Sequence, residues 1–542
     1  MLSANVMAEN VKGEGKSTRK SSQHTRTGAA GCLPATAATE LNLNNVRARI
    51  NTGGDMWWDL QGQAKYEIPK GSSKTSMFSA SLWLGGTDVN GQLKGAFQRY
   101  RGNGNDYWPG PLTTDGKASI TADVCKAYDK HFVIFRRDVD NFRLMYNNSE
   151  YPDYVVPDII KDWPANGDVS RGQSQWIAPF VDLNGNNVYE WEQGEYPYYD
   201  VNNELCKPVK DANGDYYYEP TPEGGILADQ VLKGDQTIWW IFNDNGNIHS
   251  ESRGNAIGVE IRAQAFAFST NDEINNMTFY TYEIINRSTY RLTQTYFSQW
   301  VDTDLGYAYD DFVGCDVGRG LGYCYNGDND DGLGKPDHYG KQPPAVGVDF
   351  FQGPYMDNDG IDNPKYDANG VQMCDESING VNFGDTIIDN ERFGMRRFVF
   401  HNNTGQGNPA MQDPDLAAEY YQFLRGIWKD GTKMTYGGDA HNTGGPICDF
   451  MFPDLTDDCN WGTGGVVPNP KKWTEETAGN APYDRRFMQS AGEFTLESGA
   501  INYITVGIPW ARAGAGGPFA SVNLLRKIDD KAQALFDNCF KV

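Results

Sequence analysis

Apolar residues at Val259, Ile261, Ala263 and Ala265 alternate with Glu260, Arg262 and Gln264. Successive side chains of a strand point to opposite faces, so this pattern predicts a strand with one face buried. Gln236 to Phe242 is a short apolar run closed by the turn Asn243-Asp244-Asn245-Gly246, and it reads as a second strand. Phe279 to Ile285 and Leu292 to Val301 are rich in Tyr, Phe, Thr and Ile. With Asn286-Arg287-Ser288 as the turn between them, they are expected to be adjacent antiparallel strands of a β-sandwich, Trp300 capping its core. Ala500 to Ala511 alternates as a further strand.

Two stretches carry the helical period instead. From Asp415 to Lys429, Tyr420, Phe423, Leu424, Ile427 and Trp428 recur at spacings of three and four. From Val522 to Phe540, Leu525, Ile528, Ala532, Leu535 and Phe536 form a stripe behind Ser521, a suitable N-cap. Before residue 240, the aromatic clusters Trp57-Trp58, Trp83 and Tyr107-Trp108 sit between turn residues, which predicts short strands and long loops. The expected fold is mainly β: antiparallel β-sandwich units with long calcium-binding loops and a few helices in the C-terminal third. Four stretches are distinguished: a disordered basic leader (1–40), a β-rich loop-dominated region (41–240), a β-sandwich with acidic loops (241–355), and a mixed β/α region (356–542).

Composition narrows the class. The 542 residues exceed the roughly 250–300 over which a single core usually grows, so two or three packed units are expected. Aromatics at 13% rule out a disordered acidic chain. The net charge of −25 repels nucleic-acid phosphates and invites cations held by oxygen ligands. No apolar run reaches the ~18 residues needed to span a bilayer. The opening residues lack the apolar stretch of a signal peptide, and the end follows a helix without a stop signal, so a piece of a longer protein is expected. None of the nine cysteines forms a C-x-x-C pair. In an exported protein Cys315 with Cys324, and Cys448 with Cys459, are close enough to close short disulfide loops, the odd count leaving at least one thiol over.

The acidic residues are patterned. Asp-x-Asn-Gly begins at Asp88, Asp182, Asp211 and Asp367. Calcium takes six to eight oxygens at about 2.3–2.6 Å, and a tight turn with oxygen-bearing side chains at alternate positions converges them. Asp182, Asn184 and Asn186, with the Val188 carbonyl and Glu190, then Glu192 or Glu195, give such a loop; Asp211, Asn213 and Asp215, with Glu219, repeat the spacing. A denser group comprises Asp302, Asp304, Asp310, Asp311 and Asp316, then Asn326, Asp328, Asp330 and Asp331. Like charges so placed repel unless paired or metal-bound. Asp357, Asp359 and Asp362 resemble the aspartate spacing of thrombospondin-type calcium loops. Calcium is therefore the expected cofactor. At each loop the competing reading is an Asx turn whose side chain caps its own backbone.

Catalytic templates are missing: no H-E-x-x-H, G-x-S-x-G, Walker loop or placed G-x-G-x-x-G occurs, and the six histidines are scattered. With 72 acidic residues, nominating one glycosidase pair carries no information. Trp57, Trp58, Trp108, Trp239 and Trp240 could stack on sugars, although tryptophan more commonly fills a core.

Trp300-Val301-Asp302-Thr303-Asp304-Leu305-Gly306, Val313-Gly314-Cys315-Asp316, Leu321 to Asn326 and Pro343 to Pro354 resemble a known family, as do Gly53 to Asp59 and Arg425 to Thr432. These motifs are similar to those of large exported proteins of Bacteroidota-type bacteria, many ending in a type IX secretion sorting domain. The resemblance runs from about Leu41 onward. It implies an extracellular or outer-surface location and brings no activity; neither export signal nor sorting domain is recognisable here. The expected function is that of a secreted or cell-surface structural or adhesive protein, non-catalytic and stabilised by calcium, with self-association or surface glycans as partners. The alternative is a secreted glycan-binding or carbohydrate-active protein.

Overall fold

The structure is a computed structural model describing residues 30–198, 206, 218–219, 226–227, 232–377 and 379–540. Its principal strands are β1 (Ser79–Thr87), β2 (Gln236–Asn243), β3 (Val259–Ala267), β4 (Thr278–Asn286), β5 (Leu292–Thr303), β6 (Asp311–Asp316), β7 (Leu321–Asn326), β8 (Ala345–Gln352), β9 (Arg397–His401), β10 (Arg485–Leu496) and β11 (Ile501–Ile508). They form two antiparallel sheets of ten strands each. Sheet one runs β9-β10-β5-β1 and continues into short N-terminal strands; sheet two runs β6-β7-β8-β11-β4-β3-β2. The mainly β, antiparallel expectation holds.

The period-two pattern turns one side of each sheet toward the other. Ile261 and Ala263 of β3, Tyr280 and Tyr282 of β4, and Phe297 and Val301 of β5 share one buried core. The Tyr282 and Phe297 rings lie 6.5 Å apart, and Trp57 Nε1 donates to the Tyr280 hydroxyl at 2.9 Å. Burying each such side chain contributes ~1.5–3 kcal/mol.

The outer faces are covered in patches by α1 (Arg136–Met145), α2 (Ala417–Leu424) and α3 (Pro518–Asp537). On sheet two, α3 lays Val522, Leu525, Ile528, Ala532 and Phe536 over Leu321, Tyr323 and Phe351, while α1 and neighbouring loops cover Trp239 and Ile241. On sheet one, Tyr420 of α2 packs edge-on to Trp83, which stacks on the fully buried Trp300 at 5.7 Å.

Several expectations are corrected. β4 and β5 are not neighbours: β4 pairs with β3 and β11, whereas β5 pairs with β10 and β1, so the residues after Asn286 carry the chain from one sheet to the other. α2 ends at Leu424 because Gly426 at φ +67° stops it, and α3 starts at Pro518, leaving Ser521 inside the helix with its hydroxyl donating to the Pro343 carbonyl. Of the expected leader, residues 1–29 lie outside the described residues, while Ala38–Leu41 is already a strand paired with Arg47–Asn51. The disulfides are Cys32–Cys125, Cys206–Cys539 and Cys374–Cys459. Cys315 and Cys324 stay free and buried, as does Cys448. β6 and β7 pair in a register that sets Cys315 opposite Gly322 and Cys324 opposite Val313, which keeps those two thiols apart.

Candidate metal centre

Where β5 leaves sheet one and the chain crosses to β6 in sheet two, the acidic residues converge. In sheet one Asp302 lies opposite Arg486 and Thr303 opposite Arg485, which brings Asp484 beside the end of β5. Asp302, Asp304 and Asp484 each hold a carboxylate oxygen within 4.8 Å of the others'. Asp484 was not among the residues singled out from sequence, because strand pairing, not spacing, delivers it. Arg486 already neutralises part of this trio, at 3.2 Å from Asp302 and 2.7 Å from Asp484.

On the sheet-two side of the crossing, Asp311 of β6 sits directly opposite Asn326 of β7, with Asp310 next to it. The Asp310, Asp311 and Asn326 Oδ1 atoms are shielded from solvent and have no hydrogen-bond partner. Their other atoms are fixed: Leu305 N donates to Asp311 Oδ2 at 3.1 Å, Gly332 N to Asp310 Oδ2 at 2.8 Å, and Asn326 Nδ2 donates to the Asp328 carbonyl at 3.1 Å. Burial pushes the Asp310 carboxyl up to about 7, with Asp331 and Asp328 adding to the effect. It raises Asp311 well above the ordinary carboxylate range, Asp310, Asp331 and Asp304 contributing. Asp331 accepts from Tyr307 N and Tyr339 N. The chain can pass this carboxylate only as glycine: a Cβ on Gly306 would lie 2.1 Å from Asp331 Oδ2, and its φ is +75°. Such rigid, water-poor oxygens from two strand ends suit a hard cation with oxygen ligands.

A buried charge network adjoins the crossing. Arg99 contacts Asp413 at 2.8 Å, His401 Nδ1 lies 3.2 Å from Asp413, and Trp300 Nε1 donates to His401 Nε2 at 2.9 Å. Burial would raise the Asp413 carboxyl, but Arg99, His401 and Arg486 overcome it and hold it well below the usual range. No family model and no curated protein matches this chain.

The other residues read as ligands are placed differently. Asp316 lies at the far end of β6, paired with Arg319 at 3.0 Å and Arg526 at 2.9 Å, so arginines occupy the place a metal would take. Asp328 and Asp330 are exposed, and Asp328 Oδ1 accepts from Asp330 N. In the Asp182 loop the side chains close on the loop itself: Asp182 accepts from Gly185 N and Asn187 N, Asn184 from Asn186 N, and Asn186 from Val188 N, while both asparagine amides donate to Glu190. Asp211, Asn213 and Asp215 lie outside the described residues. Asp357 accepts from Thr495, Asp359 from Ile361 N, and Asp362 from Gly384 N and Thr386 N, so these three carboxylates turn to separate partners. Asp88 and Asp367 likewise accept from backbone N–H groups two and four residues on. For Asp88 and Asp367 the recurrence of Asp-x-Asn-Gly is thus turn chemistry. Trp57, Trp58, Trp108, Trp239 and Trp240 are all buried.

Proposed function

We propose that this chain is a secreted or cell-surface structural or adhesive protein, non-catalytic, whose sandwich is tied at the β5–β6 crossing by calcium. The observation that carries this reading is the trio of solvent-shielded, unpartnered oxygens on Asp310, Asp311 and Asn326. A buried carboxylate without partner is costly, and a divalent cation held by these oxygens and completed by water removes that cost. Placed there, it ties the start of β6 to the end of β7 beside the crossing from sheet one. Three disulfides favour an oxidising compartment, and so does the resemblance to exported Bacteroidota proteins. Extracellular sites of this kind bind at about 10⁻⁴–10⁻³ M.

Thermal unfolding with EDTA and then with about 10 mM calcium tests the reading, the expected gain being ~1.4–2.7 kcal/mol for a site of that affinity. Asp311→Asn is expected to abolish the calcium response while leaving the melting temperature in EDTA unchanged or higher, since it removes a carboxyl whose ionised form burial disfavours. A melting temperature indifferent to EDTA would sink the proposal.

A further inference from the structure

We propose that the cavity between the strand Leu93–Phe97 and the chain leaving β4 binds a small organic molecule through a single carboxylate, with the Lys94 ammonium as its counter-charge. Leu93–Phe97 pairs with β1 in sheet one, which sets Lys94 opposite Gly86. The cavity holds about 720 Å³ and is lined among others by Lys94, Lys117, Asn245, Ile257, Ser288 and Tyr290. That volume lies within the ~300–1,000 Å³ of ligand sites. Its walls thus come from sheet one, from the loop between β2 and β3 of sheet two, and from the segment that crosses between the sheets. None of the residues of the metal centre lines it.

Lys94 is the decisive group. The residue is only 8% exposed, and among the described residues its ammonium has neither a hydrogen-bond nor an ion-pair partner. What it has is the face of Tyr290, 4.3 Å from the ring centroid. Unlike the orphaned oxygens of the metal centre, this nitrogen is not shut off from solvent, and the space it opens on is the cavity. A cation stripped of most of its water and resting on one aromatic face is stabilised by an anion that completes its surroundings. Both partners of that contact are held in place. Gly95 N donates to the Asn255 carbonyl at 2.9 Å, while Tyr290 N donates to Ser288 Oγ at 3.2 Å and its carbonyl accepts from Asn286 Nδ2 at 2.8 Å.

The charge balance of the lining selects the ligand. Asp115 is the one carboxylate among the described lining residues, and it is taken by Lys117 at 3.3 Å and by the Thr113 hydroxyl at 2.8 Å, which leaves Lys94 as the surplus charge. One ammonium balances one negative charge. In a protein of net charge −25 a dianionic phosphate would bring a second charge that nothing offsets, so a singly charged carboxylate fits better. A carboxylate by itself fills little of this volume, so it is carried by a larger body.

Isothermal titration calorimetry of the full chain with glucuronate, N-acetylalanine and lactate, each beside its neutral amide, tests this and separates sugar acids, acylated amino acids and hydroxy acids as the source of the carboxylate. Glucose 6-phosphate serves as the dianionic control. At least one acid is expected to bind, and its amide at least about tenfold more weakly. Lys94→Gln is expected to weaken the acid by a similar factor, with the melting temperature as the check on folding. Should Lys94→Gln not fold, Ala256→Trp, which fills the cavity from its wall and leaves the ammonium in place, is expected to abolish binding. The proposal is overturned if none of the acids binds, if acid and amide bind alike, if the phosphate binds more tightly than the acids, or if the variant tested keeps full affinity.

Discussion

At the residue scale, what distinguishes this protein is how many charges it buries and how differently they are balanced. Asp413 is held ionised by Arg99, Arg486 and His401, so truncating it strands cations in a dry interior. Asp413→Ala is expected to cost ~3–5 kcal/mol, read from the urea midpoint. Asp349 of β8 and Asp529 of α3 show the opposite balance: burial raises both carboxyls well above the ordinary range, Asp349 raises Asp529 further, and Asp316 adds repulsion that Arg319 only partly offsets. An acid whose pKa is higher folded than unfolded binds more protons when folded. Its contribution is therefore present below the ordinary carboxylate range, near pH 4, and is lost as pH rises above it. Melting temperatures from about pH 5 to 8 are expected to fall for the native chain and to fall less for Asp529→Asn, which keeps a donor but cannot ionise.

At the element scale, α3 is the lid on one half of sheet two. Phe536 stacks on Phe351 at 5.7 Å and meets Phe540 edge-on at 5.5 Å, and Cys539 ties the end of the helix to Cys206. Phe536→Ala is expected to cost ~3–5 kcal/mol and to expose the helix to limited proteolysis before the sheets unfold. The amphipathic stripe that forms this lid was legible because it is local: Leu525, Ile528, Ala532 and Phe536 lie on one face whatever they pack against. Its start was misplaced at Ser521, since that hydroxyl could have capped a helix and instead bonds the Pro343 carbonyl from within one. The Asp-x-Asn-Gly turns were legible as turns: at Asp88 and Asp367 the carboxylates accept from the nearest available donors, the backbone N–H groups of the same turn.

At the scale of the whole molecule, the two sheets are interleaved along the chain. β10 and β11, from near the C-terminal end, pair with β5 in sheet one and with β4 in sheet two, so segments divided at residues 240 and 355 on sequence grounds share both sheets. A chain ending at residue 484 loses strands internal to each sheet, and it is expected to show no cooperative unfolding transition by circular dichroism. By itself, the sequence determined the mainly β class, the inward face of strands such as Val259 to Ala267, the helical stripes and the acidic character, because each follows from residues a few positions apart. Only the tertiary structure decided that β4 and β5 part company, that Asp484 joins Asp302 and Asp304, and that Asp316 belongs to arginines. Those outcomes depend on which strands pair across long stretches of chain, and pairing is set by the combined burial of both sheets, which no local spacing encodes.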